Sequence, residues 1–142
     1  MSPSIVFQNL PGPVGDCLRP ASYSTTARVP ISPTTSLVFT TGHIGLNLQY
    51  GSLVNDTLER EFEAIFRCLD AALKNAGATA GLNQAYRFTS YLVRSEEEAV
   101  MQGVFKKMFP GHCPTWNLVI VKEINVPGMS AEITAEGVIY HE

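Results

Sequence analysis

Residues 56–77 read DTLEREFEAIFRCLDAALKNAG, a helix with a signal at each end. Asp56 can cap its N-terminus, with Glu59 at the reciprocal capping-box position. Leu58, Phe62, Ile65, Phe66, Leu69, Ala72, Leu73 and Ala76 recur at spacings of three and four, so one side is apolar. Gly77 supplies the left-handed residue that stops the helix. A helix with a single apolar stripe needs another layer to cover that stripe, and the flanking sequence provides strands.

Downstream, Gln84 to Val93 alternates Tyr86, Phe88 and Leu92 with Arg87, Thr89 and Tyr91, as a strand does. Ser95 with Glu98 forms a second capping box, followed by a stripe of Ala99, Val100, Val104 and Met108 that Pro110 and Gly111 end. Strands are then expected from Thr115 to about Ile124 and from Ser130 to Tyr140, parted by the Pro127-Gly128 turn. Upstream, Ser36 to Ile44 is the best strand, and Gly45 to Asn55 is a loop. Tyr23 to Val29 is a further strand stopped by Pro30, and Ile5 to Leu10 a short one before a Pro- and Gly-rich loop. The expected class is α+β, with two helices on one face of a mixed β-sheet. Thr115 to Val121 is apolar on both sides, so the other sheet face calls for a cover that a second subunit can provide.

The whole chain, residues 1–142, fits one domain and is long enough to bury a core without disulfides or metals. It is 45% hydrophobic with a net charge of −3, and its ten Lys and Arg form no basic stripe, which argues against a nucleic-acid partner. Cys17, Cys68 and Cys113 have no CxxC spacing, and His43, His112 and His141 lie far apart, so neither a disulfide framework nor a metal centre is expected. The longest apolar runs are too short to span a bilayer, and no signal peptide is evident; a cytoplasmic location is expected.

From about Tyr23 to Val138 the pattern resembles the Rid (YjgF, or endoribonuclease L-PSP-like) family. The carriers are Phe39-Thr40-Thr41-Gly42-His43-Ile44, the helix end Leu69 to Ala78, Phe109-Pro110-Gly111-His112, and Glu132-Ile133-Thr134-Ala135-Glu136. Residues 1–20 match poorly. The resemblance implies a chorismate-mutase-like fold and a homotrimer closing a central barrel. It also implies three intersubunit sites for small molecules, without a cofactor; the best-known members hydrolyse imines and enamines derived from amino acids. Carried over position by position, it gives Tyr23 as the site tyrosine, Thr41 before the strand-end Gly42, Glu132 as the carboxylate that handles water and proton, and Gln102 as the polar residue of the second helix. It also marks one departure. The family's Pro-Ala-Arg-Ser is Pro114-Thr115-Trp116-Asn117 here, so the arginine that grips a substrate carboxylate is absent, and Leu118 stands where some relatives have cysteine. On this reading Trp116→Arg restores weak activity on carboxylate imines.

Read alone, the residues leave alternatives open. The Glu132-Thr134-Glu136 alternation also fits a solvated strand face. A carboxylate beside Trp116 and Leu118 would be partly desolvated and suited to acid/base work. Trp116 is either core packing or an apolar wall for a ring-bearing substrate. His43, two residues from Thr41, is either a second acid/base group or a loop histidine making one hydrogen bond. The functional expectation is an acid/base enzyme acting on a neutral, ring-bearing biosynthetic intermediate by imine or enamine hydrolysis, tautomerisation, cyclisation or decarboxylation. The alternative is a binding or regulatory trimer that keeps the fold without chemistry. Ribonuclease activity, the family's older label, sits poorly with the acidic balance.

Overall fold

The computed structural model describes residues 4–141. Six strands form one sheet: β1 (Val6–Gln8), β2 (Thr26–Ser32), β3 (Thr35–Thr40), β4 (Ala85–Leu92), β5 (Thr115–Ile120) and β6 (Ala131–Tyr140). Their spatial order is β1-β2-β3-β6-β4-β5, with only β4 and β5 parallel neighbours. The helices are the single turn α1 (Pro13–Asp16), α2 (Leu58–Asn75) and α3 (Glu98–Met108). Because β3 and β4 both run antiparallel to β6, β3-α2-β4 is a crossover with β6 slotted between its strands, and β4-α3-β5 is a second crossover in the same direction. Crossovers of one hand that advance the same way along a sheet put their helices on the same face. Both long helices therefore cover one face and leave the other open. The free edges are β1 and β5.

The covered face holds the core. Phe62, Ile65, Phe66 and Leu69 of α2 and Met101 and Phe105 of α3 meet Phe88, Leu92, Ile133 and Ile139 of the sheet. A smaller cluster, Leu10, Val14 and Cys68 with Leu46 and Ala71, fastens the N-terminal segment and the loop before α2 to the flank of that helix.

Several ends differ from the sequence reading. The cap of α2 is Thr57, whose hydroxyl accepts from Arg60 N at 3.2 Å, while Asp56 pairs with the Arg60 side chain in solvent. Ser95 does not cap α3, because Ser95–Glu97 form a 3₁₀ turn that leads into the helix. The buried stripe of α3 is Met101, Val104 and Phe105; Ala99 is exposed and Val100 and Met108 only flank the core. The strand β2 starts later than Tyr23 and runs through Pro30 to Ser32. Proline is tolerated there because β1 pairs only with Thr26 to Arg28 and the ladder to β3 is already irregular between Pro30 and Ser32. The stop at Gly77 is as read, with φ at +112°, where a side chain would be strained.

Candidate active site

Near its end β3 stops pairing regularly with β6. Phe39 stands opposite Glu136, but His43 next bridges Ile133, so the β3 side holds one residue more than the β6 side over that interval. The extra residue breaks the ladder, and the Thr40 hydroxyl accepts from Ala135 N at 3.0 Å. The chain at Thr41 swings toward β2, its N–H donating to Thr25 O at 2.9 Å, and then returns so that His43 and Ile133 exchange backbone bonds of 2.9 and 3.0 Å. A bulge of this kind re-aims the side chains on either side of it.

The result at Gly42 bears on function. A Cβ built there would come within 2.5 Å of Glu132 Oε2 and 2.8 Å of Glu132 Cδ. The carboxylate thus occupies the space where a side chain at position 42 would begin, and a larger residue there would push it aside. Glu132 is half-buried on the open face of β6 and has no side-chain hydrogen bond or ion pair among the described residues. Directly across from it on β4 is Tyr91, also half-buried, and beyond that Val119 on β5. Sequence reasoning missed Tyr91; strand alternation fixed its face, but only the β4–β6 register reveals its neighbour.

Thr41 lines a cavity of about 540 Å³ together with Tyr23, Phe7, Ala27, Phe39 and the hydroxyl-bearing Ser22 and Ser24. Tyr23 follows Ser22, which holds the left-handed conformation (φ 62°) after the 3₁₀ turn Arg19–Ala21. Tyr23, Thr41, Gly42 and Glu132 are thereby brought to one end of the open face: the first two share the cavity, and the next residue after Thr41 touches the carboxylate.

The remaining expected residues lie elsewhere. Trp116 pairs with Phe88 and Leu118 with Ser90, and those rows face the helices, whereas Glu132 faces away. Trp116 stacks on Phe88 with centroids 4.6 Å apart, meets Phe105 edge-on at 4.9 Å, and donates its N–H to Ser90 Oγ at 2.7 Å. Trp116 and Leu118 therefore do not desolvate the Glu132 of their own chain; they pack in the core, because β5 follows β4 in parallel register. Gln102 is exposed on α3 beside a separate cavity of about 400 Å³, which also holds an edge of Trp116 and His112.

His43 is only 3% exposed and shares the covered side with its bridge partner Ile133, so it does not enter the Thr41 cavity. Burial pushes its pKa below the ordinary 6.5, against the bond to Thr41. Its Nδ1 lies 2.9 Å from Thr41 O, which as a carbonyl can only accept, so the proton of the neutral ring sits on Nδ1 and pins Thr41. The bare Nε2 has no partner among the described residues. The adjacent His112 and Cys113 form no nucleophile pair, since His112 Nε2 is 2.8 Å from Ala85 O. Among the described residues no group of three His, Cys, Asp or Glu is placed to hold a metal ion, and no helix is long and apolar enough to cross a membrane.

The endoribonuclease L-PSP family profile matches residues 19–139. No curated protein sequence matches the chain. Among solved structures, a YjgF/YER057c/UK114-family protein from Mycobacterium tuberculosis superposes with a TM-score of 0.73 at 20% identity, over 96% of this chain and 100% of that one. Escherichia coli TdcF, with bound serine, gives 0.71 at 21% identity over 96% and 98%. RidA from the Antarctic bacterium Psychrobacter gives 0.70 at 22% identity over 98% and 99%. The mixed sheet with helices on one face is the YjgF-like fold, and the chain belongs to the endoribonuclease L-PSP (YjgF/RidA) family.

Proposed function

We propose that this protein is a small-molecule acid/base enzyme in which Glu132 moves the proton and Tyr23 and Thr41 position the substrate. The observation that carries the reading is the Glu132 carboxylate itself. It is half-buried, lies against Gly42 and is unclaimed by any other side chain among the described residues, and Thr41, the residue before Gly42, lines the cavity. In imine hydrolysis, Glu132 takes a proton from water as the water oxygen bonds to the imine carbon and passes it to the nitrogen; it then carries the hydroxyl proton to the nitrogen as the carbon–nitrogen bond breaks, leaving a carbonyl and an amine. Tautomerisation and cyclisation need the same proton transfer without water. Decarboxylation would need only protonation of carbon, but it starts from a carboxylate, which the uncharged lining does not favour.

The reaction takes place in an intersubunit cleft of a homotrimer, where a neighbouring chain covers the open face and can bring its own Gln102 to the site. The substrate is neutral. Among the described residues no charged one lines the Tyr23–Thr41 cavity, and an anion buried without a cation costs several kcal/mol, on the order of 2–7 even for merely polar groups. A typical 2-imino acid is therefore disfavoured. That TdcF was solved with bound serine supports small-molecule binding by this fold. A second reading, a binding trimer without chemistry, draws on the core role of Trp116 at the position where relatives carry arginine.

Glu132→Gln separates the two. Assayed on a panel of uncharged enamines and cyclic imines, it is expected to lose about 10²–10⁴-fold in turnover with the assembly intact. Undiminished turnover by this variant would move catalysis away from Glu132.

A further inference from the structure

The open face carries a row of side chains that the catalytic reading does not use. Phe7 on β1 stands opposite Ala27 on β2, and Ala27 stands opposite Phe39 on β3. Two aromatic rings are thus separated by one strand that bears only a methyl group, and Tyr23 closes the end of the gap. Phe7 and Tyr23 are 65% and 58% exposed, a large aromatic surface for a monomer to leave in water. The walls are aromatic, Ser22, Ser24 and Thr41 add hydroxyls, and no ionisable group but the Tyr23 phenol takes part. At about 540 Å³ the space suits a small molecule.

From this we infer that the slot between Phe7 and Phe39 binds a flat, uncharged ring of the substrate, with Phe7 as a specificity-determining residue. The inference rests on the acid/base reading above, which it deepens by assigning a substrate class. Aromatic side chains on either side of a gap favour a planar partner over a puckered one of equal size, because stacking adds to area burial. Hydroxyls can serve ring nitrogens or an amide and cannot neutralise an ion. A ring held there places its substituent toward Thr41 and Gly42, and so toward Glu132. Phe7 lies outside residues 19–139, the part of the chain that the family profile describes, whereas Tyr23, Ala27 and Phe39 lie within it. A second copy of the chain packed dry on the row is the competing occupant; it would leave the hydroxyls of Ser22, Ser24 and Thr41 to find partners across the interface.

The test uses the full chain and three probes: benzamide (flat, uncharged), cyclohexanecarboxamide (puckered, uncharged) and benzoate (flat, charged). Backbone amide NMR titration is expected to show benzamide shifting residues 22–27 and 39–41 and binding more tightly than either other probe. Phe7→Ala should weaken benzamide about two- to tenfold, the worth of one aromatic contact. Ala27→Phe should abolish binding by filling the slot, and light scattering should show both variants assembled as the natural protein is. Absent or misplaced shifts, equal binding of the three probes, undiminished binding by Phe7→Ala, or loss of assembly in either variant would each overturn the inference. The proposed function fails separately. If benzamide binds as expected but Glu132→Gln keeps full turnover, the slot stands and the catalytic assignment falls; if benzamide does not bind while Glu132→Gln is inactive, the reverse holds.

Discussion

Glu61 is the most deeply buried carboxylate near the site, 2% exposed on α2, and its Oε2 accepts from Ser130 N at 2.7 Å just before β6 begins. Burial pushes its pKa above the usual range, against the lowering effect of the Ser130 bond; Glu97 is likewise raised, first by its own burial and then by the Glu61 charge. A raised folded pKa means that the folded chain holds the proton more tightly than the unfolded one. The resulting stability is present below the unfolded value and is lost as pH rises through the folded value. Glu61→Gln keeps an acceptor for Ser130 N without the charge. It should raise stability at neutral pH by up to about 1 kcal/mol, a few degrees in Tm. His43 works from the other side: its lowered folded pKa makes the unfolded chain the better proton acceptor, so stability falls as pH drops through about 6.5. Melting curves from pH 5 to 8 should show Glu61→Gln gaining at the alkaline end and retaining the acid-side loss. Neither effect could be read from sequence. Glu61 looks like one more polar residue in the helix, and His43 would share a face with Thr41 had the bulge not turned its ring inward. Glu132 and Gly42 stand out in the sequence because they sit in short motifs that resemble the family's, while their contact appears only in the structure.

At the level of an element, β5 is where sequence reasoning went furthest astray. Alternation correctly joined Trp116, Leu118 and Ile120 on one side of the strand, but a strand has two sides and its own sequence does not say which meets the helices. That choice comes from the pairing of Trp116 with Phe88, a contact across 28 residues that no local pattern encodes. For the same reason we expect Trp116→Arg to cost stability rather than to rebuild a carboxylate site. The substitution removes a ring stacked on Phe88 and leaves Ser90 Oγ without its donor, and it puts a cation among Phe66, Phe88 and Phe105. A loss of about 3–5 kcal/mol is expected in urea denaturation, with no gain of activity on carboxylate imines. Trp116→Phe keeps most of the stack and should lose only about 1–2 kcal/mol, largely from the orphaned hydroxyl. Helix ends were misread for a simpler reason. Asp56 and Thr57 are both good capping residues, and the sequence does not rank adjacent candidates. The helices themselves were plain, because an 18-residue apolar stripe is a strong periodic signal.

For the molecule as a whole, the two crossovers fix one covered and one open face, and the open one combines Phe7, Leu37 and Phe39 with Glu132, Thr134 and Glu136. We expect a homotrimer in solution near micromolar concentration, which multi-angle light scattering should report as about three times 15.5 kDa. A monomer there would remove the intersubunit site. The layered arrangement was legible from the stripes and their order along the chain, whereas the occupant of the open face was not, since an apolar strand row reads the same against a partner, a ligand or water. The free edge at β5 adds a consequence for how the chain matures. Val119 and Ile120 are exposed on a strand whose outer backbone groups no neighbour pairs, while the opposite edge, β1, is three residues long. An unassembled chain is therefore a template for mispairing. Correct association stops at three chains whereas edge mispairing can keep recruiting more, so refolding yield should fall as chains are crowded. A lysine placed at Ile120 should slow the unproductive route more than the productive one.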